Sequence, residues 1–400
     1  MEHQVSRRTL STDNPVVSVT QDAMAQGTDV IGLAQGVVYW PPPPEVLDAA
    51  QAAVKDPSIS RYGPDMGMPE LRQALREKVA RDNKLYNHNI CVTHGCQQAF
   101  INVMLTLTDP TDKVILFRPC YFDHHMSICQ LGGGREAGIV FGPRDSQTMH
   151  PDIDWLRTTM SQPDPPKVVA LVNPCNPTGI VLSEEELRAI SDICAGAKAW
   201  LILDETYENF VFSPELEHET ISAPHVVHLF SFSKAYGMMG WRCGYIAYPD
   251  FDWSDRLGKE FIKCQDTVCI CANQLGQRAA LKALEMSCAQ YRDEKIATLK
   301  KNRELLLDAL SPLGTLCNGI YGGEALYFFA KLPHGCEDDL EAMKWLVKHA
   351  GVCIVPGSAC HQKGYFRVSF GNLDPASMEK AAARLKAGLA RMVVEGIGAN

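Results

Sequence analysis

Between residues 89 and 250, short apolar runs alternate with segments of helical periodicity. The runs are NICVTH, KVILF, KVVALVN, WLILD and VVHLFSF. One segment between them, SEEELRAISDICAGA, has Leu187, Ile190 and Cys194 at helical spacing. It begins with Ser183 and places Glu186 three residues later, which is a typical helix start. Strands that alternate with helices form βαβ units, so we predict an α/β fold with a mostly parallel central sheet.

The remaining sequence predicts a smaller second domain, because 400 residues exceed the size at which one core keeps growing. A long helical stretch at 279–310 precedes two strand candidates, EALYFFAKL and YFRVSF, with a helix between them and a closing helix near 376–392. The segment before Pro44 is punctuated by prolines and predicts an extended arm. We expect three parts: residues 1–45 form an arm that is also part of the small domain, residues 46–285 form the large domain, and residues 286–400 form the small α+β domain.

Composition excludes several classes of protein. The net charge of −9 is dispersed and no basic stretch offers a track for nucleic acid. No run of about eighteen apolar residues predicts a membrane span, and the first residues lack the apolar core of a signal peptide. The 15 cysteines include no CxxC pair, so we expect reduced thiols, no metal site and a cytoplasmic location. The pair His124 and His125 is interpreted as core or surface histidine.

The segment SFSKAYGMMGWRCGY follows the apolar strand VVHLF and carries the first candidate site. A lysine just beyond a strand of a parallel sheet lies where α/β proteins bind ligands, although most such lysines are only solvated charges. Lys234 is flanked by Ser231 and Arg242, a hydroxyl and a fixed cation that together suit one phosphate. We therefore predict a phosphate-bearing ligand beside the Lys234 amine.

Two further strand ends carry candidate side chains. In LILDETY, the strand ends at Asp204 and Tyr207 follows three residues later. In VNPCNPTG, Asn176 follows the strand KVVALV. Alone, the aspartate could cap a helix and the second motif could be a simple turn. Beside a pyridine cofactor, Asp204 would keep the ring nitrogen protonated, and Tyr207 and Asn176 would hydrogen-bond the phenolic oxygen of the ring.

The segment VTHGCQQAFINVML predicts a strand, a glycine and a helix start. The free N–H groups of a helix N-terminus bind anions, and glycine lets a phosphate approach closely. Gly95, Cys96 and Gln97 are therefore candidate phosphate contacts, the latter two through their backbone. This pattern is common, and it gains weight only from the other motifs.

Taken in order, these motifs resemble the class I and II aminotransferases of the pyridoxal 5′-phosphate (PLP) fold type I, from SRRTLST to the last helix. LAQGVVYW, YGPDMGMPELRQAL and YFRVSFG are similar to a plant and algal subgroup that transfers amino groups from methionine or aromatic amino acids to aromatic 2-oxo acids. The resemblance implies an aspartate aminotransferase-like fold, with PLP held by Lys234, and a homodimer with shared active sites. Lys234 would also be the base that moves the proton from the substrate Cα.

The resemblance also implies roles that spacing alone does not assign. Tyr121 would stack on the cofactor, and Tyr62 would reach the phosphate of the neighbouring subunit. Arg367 would grip the α-carboxylate of the substrate, and Gly36 would lie against the same group. Arg61, beside Tyr62, is either a surface cation or a contact for the phosphate or an acidic substrate.

The segment after Gly36 is apolar and aromatic, VVYW, and favours methionine, phenylalanine, tyrosine or tryptophan over dicarboxylates. The acceptor would be an aromatic 2-oxo acid such as phenylpyruvate or indole-3-pyruvate, in a ping-pong reaction. An aspartate- or alanine-type aminotransferase and a C–S β-lyase remain alternatives on the same motifs, and a non-catalytic PLP-sensing module is a remote one. A dinucleotide site at Gly132, Gly134 and Ala137 is excluded, because the pattern leads into a strand rather than a helix.

Overall fold

The computed structural model describes residues 5–132 and 138–398. Its helices are α1 (Arg7–Leu10), α2 (Val16–Ala25), α3 (Pro44–Val54), α4 (Pro69–Asn83), α5 (Gly95–Leu107), α6 (Phe122–Gly132), α7 (Ile153–Met160), α8 (Glu184–Gly196), α9 (Arg256–Cys269), α10 (Gln274–Ala283), α11 (Met286–Leu310), α12 (Asp339–Ala350) and α13 (Pro375–Glu395). Its strands are β1 (Ile31–Gly32), β2 (His88–Thr93), β3 (Val114–Phe117), β4 (Ile139–Gly142), β5 (Val168–Val172), β6 (Trp200–Asp204), β7 (Val226–Ser231), β8 (Gly244–Pro249), β9 (Thr315–Leu316), β10 (Gly319–Gly322), β11 (Tyr327–Lys331), β12 (Val352–Cys353), β13 (Val355–Pro356) and β14 (Tyr365–Ser369).

The central sheet has the strand order β2-β8-β7-β6-β5-β3-β4. Only β8 runs antiparallel to its neighbours, so the predicted mostly parallel sheet is confirmed. The five apolar runs of the sequence form β2, β3, β5, β6 and β7. Strand β5 is buried along its whole length, as expected where helices cover both faces of a parallel sheet. The carboxyl ends of β5, β6 and β7 therefore lie side by side and lead into the three predicted motifs.

Helix α8 confirms the helix predicted from its capping pattern. The Ser183 side chain accepts a hydrogen bond from the Glu186 backbone, and the Glu186 carboxylate accepts one from the Ser183 backbone. Leu187, Ile190 and Cys194 are fully buried against the sheet. Such a cap stabilises a helix by about 1 kcal/mol, and the larger share of the stability comes from the buried face.

The C-terminal part builds a second, largely antiparallel sheet of order β13-β14-β11-β10-β9. The two predicted strands are its central pair, β11 and β14. Helices α11 and α13 pack together beside this sheet, and both contribute to its core. The long helical stretch predicted at 279–310 is two helices, α10 and α11, separated at Leu284 and Glu285.

The N-terminal arm differs from the expected extended chain, because α1 and α2 are helical. Pro15 is the N-cap of α2, and Pro43 and Pro44 open α3. A proline is well tolerated at the first turn of a helix, where its missing N–H has no partner to lose. These prolines therefore mark helix starts. After α2, β1 pairs in parallel with β12 and joins the arm to the C-terminal part.

The glycine-rich segment that was excluded as a dinucleotide site follows α6 and precedes β4. Gly132 is the last residue of α6, and Gly134 and Ala137 lie outside the described residues. Within residues 5–132 and 138–398, no helix is long and apolar enough to cross a membrane.

Candidate active site

A cavity of about 360 Å³ lies at the carboxyl edge of the central sheet, between that sheet and the C-terminal part. It brings together side chains and backbone from widely separated sequence motifs. The predicted residues that line it are Gly36, Cys96, Gln97, Tyr121, Asn176, Asp204, Tyr207, Ser231, Lys234, Arg242 and Arg367. Gly95 lies directly against Arg242 at the rim, whereas Tyr62 does not line the cavity.

Lys234 lies in the lining of this cavity and is partly buried. Burial lowers the pKa of its amine to about 8, and the positive charges of Arg242 and Arg367 act in the same direction. Asp204 opposes them only in part. An amine with such a pKa has a substantial neutral fraction near neutral pH, and only the neutral form is a nucleophile or a base.

Asp204 ends β6 and is 4% exposed. Burial alone would raise the pKa of its carboxyl, but the hydrogen bond and charge of His124 and two bonds from Thr206 outweigh burial and lower it. The His124 Nε2 atom lies 3.0 Å from Asp204 Oδ2. The His124 ring stacks on Phe100 with centroids 3.9 Å apart. Asp204 is therefore held as a carboxylate that can face a cationic ring nitrogen.

His124 belongs to this site, and its interpretation as an ordinary core or surface histidine was incomplete. It is buried, as a core residue would be, but it bonds to the candidate carboxylate. The signal was its position in the first turn of α6, three residues after Tyr121, which places both rings on one side of the turn. The two rings meet edge to face at 5.0 Å.

Tyr207 makes a hydrogen bond that the sequence did not predict. Its hydroxyl lies 2.6 Å from that of Tyr327 on β11. Burial raises the pKa of both phenols, so both remain protonated. A side chain on Gly36 would collide with the Tyr327 hydroxyl, which explains the glycine at this position.

The start of α5 forms a cradle with Arg242. Gly95 has a φ of +78°, a conformation that favours glycine, and a Cβ there would lie 2.5 Å from the Arg242 guanidinium. Arg242 donates to the backbone carbonyls of Met239 and His94 at 2.9 and 3.3 Å. The first N–H groups of α5 have no partners within the helix. This combination of helix terminus, guanidinium and the Ser231 hydroxyl suits a phosphate.

Arg367 is 3% exposed and is held from two sides. Its Nη1 donates to Asn176 Oδ1 at 2.6 Å and its Nη2 to the Ala34 carbonyl at 2.8 Å. The guanidinium lies over the Tyr327 ring, 4.4 Å from its centroid. Its buried Nε has no hydrogen-bond partner among the described residues. A buried guanidinium with an unsatisfied donor suits a carboxylate ligand.

Tyr62 is 80% exposed, and the neighbouring Arg61 is exposed as well. Within its own chain, Tyr62 therefore contributes nothing to the cavity. Its predicted contact with the phosphate requires a second copy of the chain.

The residues present fit PLP. The cavity offers an amine, a carboxylate for a ring nitrogen, a hydroxyl and an amide for a phenolic oxygen, and a phosphate cradle in which a Cβ at Gly95 would not fit. Among the described residues, no group of histidine, cysteine and acidic side chains is arranged to hold a metal ion.

Comparisons with known proteins agree over nearly the whole chain. The sequence profile of aminotransferases of class I and II matches residues 28–385. The aromatic aminotransferase ISS1 of Arabidopsis thaliana is 45% identical over 395 residues, which cover 98% of each chain. The solved structure of the aspartate aminotransferase from Thermus thermophilus with maleate has a TM-score of 0.86 at 27% identity, covering 97% of this chain and 100% of that one. The aromatic aminotransferase from Pyrococcus horikoshii OT3 has a TM-score of 0.80 at 26% identity, covering 92% and 98%. The predicted fold class is confirmed.

Proposed function

This chain belongs to the class I and II aminotransferases, and we propose that it exchanges the amino group between methionine or an aromatic amino acid and an aromatic 2-oxo acid. Enzymes of this class use PLP, which accepts the electrons released when a bond at the substrate Cα breaks. The relative that is 45% identical is an aromatic aminotransferase, which supports the proposed substrates.

One observation carries the substrate proposal. The cations that line the cavity within the described part of the chain are Lys234, Arg242 and Arg367. Lys234 suits the cofactor, Arg242 suits the phosphate of the cofactor, and Arg367 suits the α-carboxylate of the substrate. No lining cation in this part of the chain is left for a second carboxylate, whereas apolar side chains such as Val16, Val37 and Phe122 complete the lining. An apolar side chain is therefore the better substrate.

Each residue has a defined task in this proposal. Lys234 would hold the cofactor, and its amine would also serve as the base that moves the proton from the substrate Cα. Arg367 would fix the substrate carboxylate and so orient the Cα–H bond. Asp204 holds the ring nitrogen protonated. Tyr207 and Asn176 bond the phenolic oxygen.

Other contacts complete the cofactor site. Tyr121 stacks on the ring, and Gly95, Cys96, Gln97, Ser231 and Arg242 hold the phosphate. Gly36 lies against the substrate carboxylate. We further propose a homodimer in which Tyr62 completes the phosphate site of the neighbouring subunit, since its exposure leaves it free to reach a partner.

The same proposal includes the domain division at 1–45, 46–285 and 286–400 and a cytoplasmic location. The division is supported by the separate sheets of the two parts and by the pairing of β1 with β12. The location is supported by the cysteines, none of which forms a disulfide among the described residues.

The decisive experiment records the absorbance spectrum of the PLP-loaded protein while methionine, phenylalanine, tryptophan, aspartate and alanine are added separately, without a 2-oxo acid. We expect the first three to convert the cofactor to its amine form. Conversion by aspartate alone would establish the aspartate-type alternative. In a separate assay without a 2-oxo acid, continuous release of pyruvate from an S-substituted cysteine would establish a β-lyase. Absence of a cofactor band after addition of PLP would overturn the proposal.

A further inference from the structure

A second cavity of about 490 Å³ adjoins the active-site cavity. The two share Val16, Phe122 and Asp123 in their linings. In the proposed function, PLP occupies the part of the first cavity at Lys234, Asp204 and Arg242, and a substrate whose carboxylate lies at Arg367 has the remaining part for its side chain. That remaining part is lined by the start of α2 and the start of α6, so a large side chain points toward the junction of the two cavities.

Asp123 is the acidic residue at this junction. Its Oδ2 accepts a hydrogen bond from the Tyr121 hydroxyl at 2.8 Å. Its backbone carbonyl accepts one from Ser127 at 2.7 Å, which fixes the first turn of α6. No other described residue donates to the carboxylate. A carboxylate has about four acceptor sites, so Asp123 retains acceptor capacity at the cavity wall.

The charge at the junction of the two cavities disfavours the binding of an anion there. The outer cavity is lined by the carboxylates of Asp13 and Asp123 and by the imidazoles of His125 and His361. No lysine or arginine of the described residues lines it. A distal carboxylate at the junction would face the like charge of Asp123, which lines both cavities, whereas a neutral N–H or O–H group would find an ionic acceptor.

We propose that Asp123 determines side-chain specificity. Its carboxylate accepts a hydrogen bond from the indole N–H of tryptophan or the phenol of tyrosine, and it repels the second carboxylate of aspartate or glutamate. This inference rests on the proposed function, because it presumes that aromatic amino acids enter the cavity.

The test compares tryptophan with 3-benzothienylalanine, which has the same shape but carries sulfur in place of the N–H group. The measured quantity is the ratio of the two kcat/KM values, in which any general loss of activity cancels. In the wild-type enzyme we expect tryptophan to be favoured. Asp123→Leu should lower the ratio by about tenfold or more, the size expected when a hydrogen bond to a charged acceptor is lost. Both Asp123→Leu and Asp123→Asn should raise kcat/KM for aspartate relative to phenylalanine.

Tyr121→Phe is the matched control, because it removes the hydroxyl bonded to Asp123 and keeps the ring. We expect this variant to retain the preference for tryptophan. An equal loss of the ratio in Tyr121→Phe and Asp123→Leu would show that Asp123 acts only through Tyr121 and would overturn the inference, as would an unchanged ratio in Asp123→Leu.

The wild-type enzyme separates this inference from the proposed function. Turnover of phenylalanine and tryptophan with an unchanged ratio in Asp123→Leu would refute the role of Asp123 alone. Turnover of aspartate but of neither aromatic amino acid would refute the proposed function and, with it, the inference.

Discussion

The Nε2 atom of His124 lies 3.0 Å from Oδ2 of Asp204, and both side chains are buried. The carboxylate would otherwise meet the full cost of burial, which favours its protonated form. His124 therefore helps to keep Asp204 ionised where a cationic ring nitrogen needs it, and its stacking on Phe100 fixes the orientation of the imidazole.

His124→Phe should keep the stacked ring and remove the hydrogen bond. The Asp204 pKa is lowered in the native protein, so without His124 it should rise and the carboxylate should become protonated at higher pH. We expect the acid limb of the pH profile of kcat/KM to move to higher pH, with kcat lower by about tenfold or more. His124→Gln retains an amide donor and should restore part of the shift. An unmoved acid limb in both variants would refute the role of His124.

The pKa of about 8 for Lys234 predicts how the cofactor-free protein takes up PLP. Only the neutral amine reacts with the aldehyde. Below pH 8, the rate of PLP uptake should therefore rise by ~tenfold per pH unit. Above about pH 8, where most of the Lys234 amine is neutral, the rate should level off. Stopped-flow absorbance measures this rate, and Lys234→Ala should show no covalent phase. A rate that still rises steeply above pH 9 would mean that burial does not lower this pKa.

Gly95→Ala should weaken the binding of PLP. The substitution places a Cβ 2.5 Å from the Arg242 guanidinium and so pushes this cation out of its position in the phosphate cradle. The left-handed conformation of the alanine separately lowers the stability of the fold by about 1–2 kcal/mol. We expect the dissociation constant for PLP, measured by titration of the cofactor-free protein, to rise by about tenfold. Gly196→Ala in α8 is the matched control, because nothing lies within 4 Å of the new Cβ, and it should leave PLP binding unchanged. Equal affinities in the two variants would contradict the phosphate cradle.

A hybrid dimer tests the shared site. One subunit carries Lys234→Ala and the other Tyr62→Ala, and the hybrid is isolated through two affinity tags. If Tyr62 serves the neighbouring subunit, one site of the hybrid has both native residues, and the activity at limiting PLP should be about half that of the wild type. If Tyr62 serves its own chain, no intact site forms, and the hybrid should be only as active as the mean of the two parent dimers.

The residues that could be predicted from the sequence are those on local motifs. Asp204, Ser231 and Asn176 each follow an apolar strand, and parallel strands bring their carboxyl ends to one edge of the sheet. The edge on which the site lies follows from this rule. Arg367 and Gly36 required the family resemblance, because nothing in their local sequence indicates a carboxylate.

Residues brought in by tertiary packing were missed. Tyr327 lies on an antiparallel strand 120 residues after Tyr207, and the hydrogen bond between them depends on how the C-terminal sheet packs on the central one. Val16 and Thr20 line the cavity because α2 folds back over it, whereas the prolines of the arm were interpreted as marks of an extended chain. The local secondary-structure propensity of a segment does not indicate contacts that form only when distant elements pack together.

The pairing of β1 with β12 joins residues about 320 positions apart. During synthesis, Ile31 and Gly32 leave the ribosome long before Val352 and Cys353, so β1 must wait for β12 before the two can pair. Closing so long a loop costs conformational entropy. This cost increases only slowly with loop length, because it grows with the logarithm of the number of residues. The central sheet can form from a continuous stretch in the meantime. The lining that α2 contributes to the active site is therefore completed late, and a truncated nascent chain would hold the βαβ core with its substrate pocket still open.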